Sequence, residues 1–222
     1  GYRKALRRIA TMLDRAFLDM TNMPHVAHQW RVQGPQEFSG LVCGHRQWLL
    51  ACNSLSRYFW IASNTKEPTL LPSALADSVW HAWLAVDPGG LEQFQRKYFG
   101  RVIAHVEKAT MTEKKTDTGQ ALARTWAMAC KMDRVPYYDH SSMPLLFRSD
   151  AQAKLPSGWH YAWRNGGVHV NGVLNSHISR ASLLAVGITM MELQRTDHRD
   201  GGADAPVGTA SGCGSCDSSS SG

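Results

Sequence analysis

The sequence predicts a mainly α-helical fold, with a single helical domain over residues 1–195, a small β-hairpin near 159–172 and a disordered tail at 196–222. Two observations support this prediction. Apolar residues recur at three- and four-residue steps through most of the chain, as in amphipathic helices. Strand-like alternation is confined to one short stretch around an Asn-Gly-Gly, which suits a tight turn.

The composition is typical of a chain that buries a core. Hydrophobic residues make up 43% of the sequence and there are eight tryptophans, whereas disordered chains lack aromatic residues. No apolar run reaches the roughly 20 residues that cross a bilayer, and the N-terminus lacks a signal-peptide pattern. The net charge of +6 arises largely from the first fifteen residues, and a solvated helix face is its favoured interpretation. A protein partner fits this pattern better than nucleic acid, because aromatic residues do not interleave with the basic ones.

The first helix is predicted over residues 2–20, where Leu6, Ile9 and Leu13 share one face. Pro24 ends the region, since proline disfavours helical backbone in the residue before it. The stretch at 29–40 is predicted to be irregular because glycine and proline interrupt it.

Further helices follow the same periodicity, at residues 44–62, 91–108, 120–133, 143–152 and 179–195. Between the first two of these, Ser73 is expected to cap another helix, because its hydroxyl can accept a hydrogen bond from a first-turn N–H. Residues 87–90, "DPGG", are expected to stop that helix. Gly100 is a point where the helix at 91–108 can divide, since glycine costs about 1 kcal/mol relative to alanine in a helix interior.

The last part of the chain has a different residue pattern. "SGWHYAWRNGGVHVNGVL" at 157–174 alternates about a turn and predicts the hairpin. Residues beyond 196 are rich in Gly and Ser and predict disorder. The five cysteines form no regular framework and no secretory signal precedes them, so a reducing cytoplasm is the expected location.

The segment at 71–108, "LPSALADSVWHAWLAVDPGGLEQFQRKYFGRVIAHVEK", carries a recognisable pattern: a Pro-Ser start, Asp-x-x-Trp-His, Phe-Gly and a closing His. The pattern resembles a group of largely uncharacterised bacterial proteins related to the plant glycine-rich-domain proteins. The matching residues are Pro72, Ser73, Asp77, Trp80, His81, Phe94, Phe99, Gly100 and His105. The resemblance covers about residues 44–165 and the style of the tail, and it implies a fold and a motif but no reaction. Leu91 and Gln95 stand where that group has Tyr and Cys, so any role of that cysteine is lost here.

Asp77, His81 and His105 are the candidate metal ligands. Asp77 and His81 are four residues apart and so share one helix face. His105 is expected at the end of the next helix, which "DPGG" would fold back antiparallel, so the two histidines can meet. The set would be two imidazoles and one carboxylate, which suits a divalent transition metal. The favoured alternative is structural: His81 and Asp77 tie two core helices through hydrogen bonds, because buried polar groups are paired.

Two further groups carry weaker hypotheses. Trp159, His160, Tyr161 and Trp163 form either an aromatic binding surface or, as favoured, the sheet face that packs on the helices. Cys213 and Cys216 have the Cys-x-x-Cys spacing of redox and metal sites, but lie among Gly and Ser without a helix to lower a thiol pKa.

Function is therefore predicted in broad terms. The chain contains no phosphate-binding loop, nucleophile elbow or dinucleotide fingerprint, so no catalytic signature assigns a reaction and no cofactor is specified beyond the candidate metal. The favoured prediction is a non-enzymatic binding or scaffold protein. A metal protein using Asp77, His81 and His105, and a role centred on the thiols of the tail, are the two alternatives.

Overall fold

A computed structural model of the chain describes residues 2–105, 115–138 and 142–194. In these residues the fold is mainly α-helical with a small antiparallel sheet, as predicted. The helices are α1 (Tyr2–Thr21), α2 (Pro24–Glu37), α3 (His45–Ser63), α4 (Ala74–Val86), α5 (Pro88–Phe99), α6 (Lys115–Asp133), α7 (Leu145–Gln152), α8 (Arg180–Ala185) and α9 (Met190–Gln194). The predicted tail at 196–222, with its two thiols, lies outside the described residues.

The core is built around α3, which packs against α1, α4, α6 and α7. Leu55, Phe59 and Ile61 on α3 are fully buried, and each such side chain contributes about 1.5–3 kcal/mol relative to an exposed position. Trp126 on α6 lies on Phe147 of α7 with ring centroids 4.9 Å apart. Within the described residues, no helix combines the length and apolar character that a bilayer span requires.

The stretch predicted to be irregular at 29–40 is instead mostly helical, in α2. Trp30 is fully buried and donates from its indole N–H to Ser78 Oγ on α4 at 2.8 Å. Pro35 lies in the last turn, where it removes the hydrogen bond that an N–H at this position would donate to the Arg31 carbonyl. Gly34 allows close packing, because a Cβ there would stand 2.9 Å from Leu41 Cδ2. Tertiary packing on α4 has overridden weak local helix preference.

The two ends of α4 follow the predicted capping. Ser73 accepts a hydrogen bond from the backbone N–H of Ala76 at 3.1 Å. Asp87 ends the helix and also caps α5, accepting from the Gly90 N–H at 2.9 Å. The "DPGG" stretch is therefore both a stop and a start, with Pro88 in the first turn where its ring geometry fits.

The helix predicted at 91–108 is too long at its end. It stops at Phe99, and Gly100 takes a left-handed φ of 75° as its C-cap, a position that glycine occupies at little cost. The chain then runs without helix to His105. Gln95 holds this return, since its amide oxygen accepts from the Ile103 N–H at 3.0 Å. His105 is consequently not a helical residue.

The hairpin is confirmed and extended by one strand. Strands β1 (Tyr161–Arg164), β2 (Gly167–Val170) and β3 (Val173–Leu174) form an antiparallel sheet in that order. Both connections are Asn-Gly pairs with positive φ at each residue, the signature of a tight hairpin turn. The sequence predicts a single turn in this stretch, whereas the structure has two.

The helix predicted at 179–195 is divided into α8 and α9. Gly187 lies between them with φ of 96°, which continuous helix does not accommodate. Ser179 and Ser182 form a capping box at the start of α8. Helix α6 is longer than predicted, because it begins at Lys115 rather than at residue 120.

Candidate metal centre

The three residues singled out on either side of "DPGG" come together. Asp77 and His81 lie one turn apart on α4, and His105 reaches them from the stretch that follows Gly100. One ligand atom from each of the three residues can be chosen so that all lie within 4.8 Å of one another. The proximity was expected between two antiparallel helices, but the return of the chain after α5 provides it instead.

The distances suit a shared ion after small adjustments. His105 Nε2 lies 2.8 Å from Asp77 Oδ1, and His81 Nε2 lies 3.6 Å from the same oxygen. Tetrahedral ligands about 2.0–2.1 Å from a metal stand roughly 3.3 Å apart. The two distances bracket that value and the third pair of ligand atoms lies within 4.8 Å, so side-chain rotation would be needed to place the three atoms around one ion.

Glu37, at the last position of α2, fixes the orientation of one ring. Its Oε2 lies 2.8 Å from His81 Nδ1, and its Oε1 accepts from the Gln33 side-chain amide at 2.6 Å. A carboxylate on Nδ1 holds the imidazole so that Nε2 faces Asp77, which is the usual support of a metal-binding histidine. Sequence reasoning missed Glu37, because the segment that carries it was predicted to be irregular.

These contacts lower the pKa of Glu37. Partial burial alone would raise its pKa, but the hydrogen bonds from His81 and Gln33 outweigh that effect and hold the pKa below its usual value. Glu37 is therefore a carboxylate at neutral pH and can stabilise a histidine whose ring gains positive character.

Aromatic rings line the inner side of the cluster. His105 stands edge-on to Trp80 at a centroid distance of 4.6 Å and to His81 at 4.8 Å. Trp80 is buried to 98%, and its indole N–H has no hydrogen-bond partner within the described part of the chain. These rings restrict the positions that the two imidazoles can take.

The outer side of the cluster is open to solvent. The side chains of His105, His81 and Asp77 are 14%, 28% and 32% exposed. Three protein ligands with solvent access leave a further coordination position for water or another molecule, whereas purely structural metal sites are closed by four protein ligands. The same contacts also link α2, α4 and the segment after α5 through hydrogen bonds. A purely structural role in holding these segments together is the alternative to metal binding.

The aromatic residues of β1 and its approach face the helices. Tyr161 is buried and lies on Phe147 with centroids 4.9 Å apart, while Trp163 stacks edge-on against Tyr138 at 4.9 Å. His160 Nε2 contacts the Leu155 carbonyl oxygen at 2.6 Å. Trp159 is half-buried against the core. This packing accounts for the aromatic run as core material, and a binding role for these residues stays a prediction.

Asp150 on α7 is a second polar centre that the sequence did not reveal. It is 99% buried, and its carboxylate accepts from Ser73 Oγ at 2.7 Å and from the backbone N–H groups of Ala74, Leu75 and Trp159 at 2.9, 3.0 and 2.8 Å. It thereby caps α4 from another helix, where the helix dipole favours a negative charge. An Asp near the end of a predicted helix gives no local sign of this role.

Comparison with known proteins gives a family match. The model of a protein family described as UCP032817-like matches residues 37–181, a span that contains Glu37, Asp77, His81 and His105. A search of curated proteins found no match, and a search of solved structures found none either. The family match does not bear on the resemblance to the plant glycine-rich-domain proteins, which stays a prediction.

Proposed function

The chain belongs to the UCP032817-like family, and we propose that its Asp77, His81 and His105 bind a divalent transition metal. The observation that carries the proposal is the orientation of His81: Glu37 holds Nδ1 at 2.8 Å, which leaves Nε2 directed towards Asp77 and His105. A polar tie alone needs no such convergence of two Nε2 atoms on one carboxylate oxygen.

The donor set narrows the metal. Two imidazoles and one carboxylate suit Zn²⁺, Fe²⁺, Co²⁺ or Ni²⁺, whereas Ca²⁺ and Mg²⁺ take oxygen ligands. Solvent access to the cluster supports a coordination position for water or a small molecule. A bound metal would therefore have a role beyond stabilising the fold.

The proposal is tested by elemental mass spectrometry and by Zn²⁺ titration calorimetry on the full chain, purified without a His tag. Variants His81→Ala and His105→Ala are compared with His25→Ala. His25 is a matched control, because it also joins α2 to an acidic residue near α4, pairing with Asp87 at the C-cap of α4 at 3.2 Å. We expect close to one metal ion per chain in the wild type and in His25→Ala, and its loss in the other two variants. Equal metal content in all four proteins, or failure of the wild type to bind Zn²⁺, would overturn the proposal.

The second candidate function is a scaffold in which the same residues act only as a tie. The chain of contacts from Glu37 through His81 and Asp77 to His105 favours it, because it links three separate segments. If this is the function, the wild type contains no bound metal, and His81→Ala unfolds at a lower denaturant concentration than the wild type. A role centred on the thiols of the tail would instead be abolished by truncation after residue 197.

We further propose a reducing, cytoplasmic location. In the described residues the cysteines are Cys43, Cys52 and Cys130, and all three are free thiols. This supports a reducing compartment, since secreted proteins commonly join such residues in disulfides. Fractionation of cells expressing the full chain would test it, and recovery of the chain outside the cytoplasm would contradict it.

A further inference from the structure

An open cavity of about 630 Å³ lies between α1, α3 and α6, and none of the candidate metal ligands lines it. Its size falls in the range of roughly 300–1,000 Å³ that small-molecule sites occupy.

The walls of this cavity are mostly apolar and half-buried. Ile9 and Leu13 come from α1, Trp60 from α3, and Met128 and Met132 from α6. Methionine side chains adapt their shape to apolar ligands, because they are unbranched and polarisable. Such a surface suits a flexible hydrocarbon chain better than a rigid polar molecule.

One part of the cavity is cationic. Arg57, Lys131 and Arg134 line it, against the single carboxylate of Asp14. Arg57 is paired with Asp133. Lys131 and Arg134 are exposed and have no ion-pair partner within the described ranges. These two cations are therefore available to an anionic group of a ligand.

A smaller cavity of about 310 Å³ continues the first one. The two share Ile9, Trp60 and Asn64, and the second adds Met12, Ser63, Tyr98 and Phe99. None of the residues that line this second cavity is charged at neutral pH. Together they form one groove with cations in one lobe and a mostly apolar lobe beyond Trp60.

We infer that this groove binds a free fatty acid. The carboxylate would lie at Lys131 and Arg134, and the hydrocarbon chain would pass Trp60 towards Met12 and Phe99. Charge complementarity at the cationic lobe and the uncharged character of the other lobe distinguish this ligand from a neutral or cationic amphiphile. Arginine and lysine also suit the position because their apolar stems extend over the hydrocarbon while their charges meet the carboxylate.

The experiment measures binding of monomeric dodecanoate, below its aggregation concentration, by titration calorimetry with the full chain. The buffer contains EDTA, so that the result does not depend on the proposed metal. The variant K131E/R134E reverses the two exposed cations, and R31E/R46E reverses two exposed arginines that do not line the groove. Circular dichroism verifies that each variant is folded.

We expect dodecanoate to bind the wild type and R31E/R46E equally, and K131E/R134E at least tenfold more weakly. Dodecyltrimethylammonium, which has the same chain and the opposite charge, should bind K131E/R134E better than the wild type. A third variant, Met12→Glu, places a charge in the apolar lobe and should weaken dodecanoate more than octanoate.

Three results would overturn the inference. They are the absence of dodecanoate binding to the wild type, equal affinity of K131E/R134E and the wild type, and equal affinity of the wild type for the anionic and cationic amphiphiles. The first of these results overturns the inference even if the chain binds anionic vesicles.

Discussion

Replacing Asp150 tests whether one buried carboxylate joins α4, α7 and the approach to the sheet. Its two oxygens accept four hydrogen bonds, three of them from backbone N–H groups. In Asp150→Ala these three donors lose their acceptor in a site that is almost fully buried. The Ser73 hydroxyl can turn elsewhere, so the backbone groups set the minimum cost.

The magnitude follows from the number of donors. An unsatisfied buried donor costs about 1–3 kcal/mol, so Asp150→Ala should lower the free energy of unfolding by about 3 kcal/mol or more. Asp150→Asn keeps one acceptor oxygen, which can still serve the Ala74 and Trp159 N–H groups. It loses the bond from Leu75 and the negative charge at the start of α4, for a cost of about 2–4 kcal/mol. Both values are large against a typical total stability of about 5–15 kcal/mol.

The assay is urea unfolding followed by tryptophan fluorescence and far-UV circular dichroism. Glu92→Gln is the control, since Glu92 is exposed on α5 and a surface change there should stay within about 0.5 kcal/mol of the wild type. Destabilisation of Asp150→Ala by less than about 1 kcal/mol, with an unchanged dependence on urea, would refute the reasoning.

Three further predictions concern Glu37 and the thiols. Glu37→Gln should weaken Zn²⁺ binding by about tenfold or more without removing a ligand; an unchanged calorimetric affinity would show that Glu37 does not support His81. Hydrogen bonds hold the pKa of Glu37 below its ordinary 4.5, so its contribution to stability is complete above that pH and is lost as the pH falls below it. That contribution is small because the side chain is 38% exposed. In the absence of metal, the free energy of unfolding of Glu37→Gln should therefore fall less steeply with decreasing acidic pH than that of the wild type. An identical pH dependence in the two proteins would contradict this. Burial raises the pKa of Cys52 well above its ordinary value and that of Cys43 less, so peptide mapping after iodoacetamide treatment should find Cys43 alkylated before Cys52. Faster labelling of Cys52 would count against the packing of α3.

Much of the fold was predictable because it depends on neighbours in the chain. The helices at α1, α3 and α4 repeat their apolar residues at helical spacing, and Ser73 caps α4 with an atom three residues away. The Asn165–Gly166 turn is equally local, since those two residue types accept positive φ. In each case the interaction that stabilises the element lies within a few residues of it.

The errors have a shared cause in long-range packing. The sequence of α2 contains glycine and proline and predicts no helix, yet burial of Trp30 against α4 stabilises one. Gly100 was recognised as a weak point, but whether the helix would bend or end there depended on the contact between Gln95 and Ile103. Local patterns carry no information about such partners.

The candidate site divides in the same way. Residue types and the four-residue spacing on one helix identified Asp77 and His81, because both features can be seen directly in the amino-acid sequence. The meeting with His105, the support from Glu37 and the cap from Asp150 join segments that are 28, 44 and about 75 residues apart. Only tertiary structure could decide them, since a hydrogen bond between distant residues depends on the path of the backbone between them and leaves no periodicity or spacing to read.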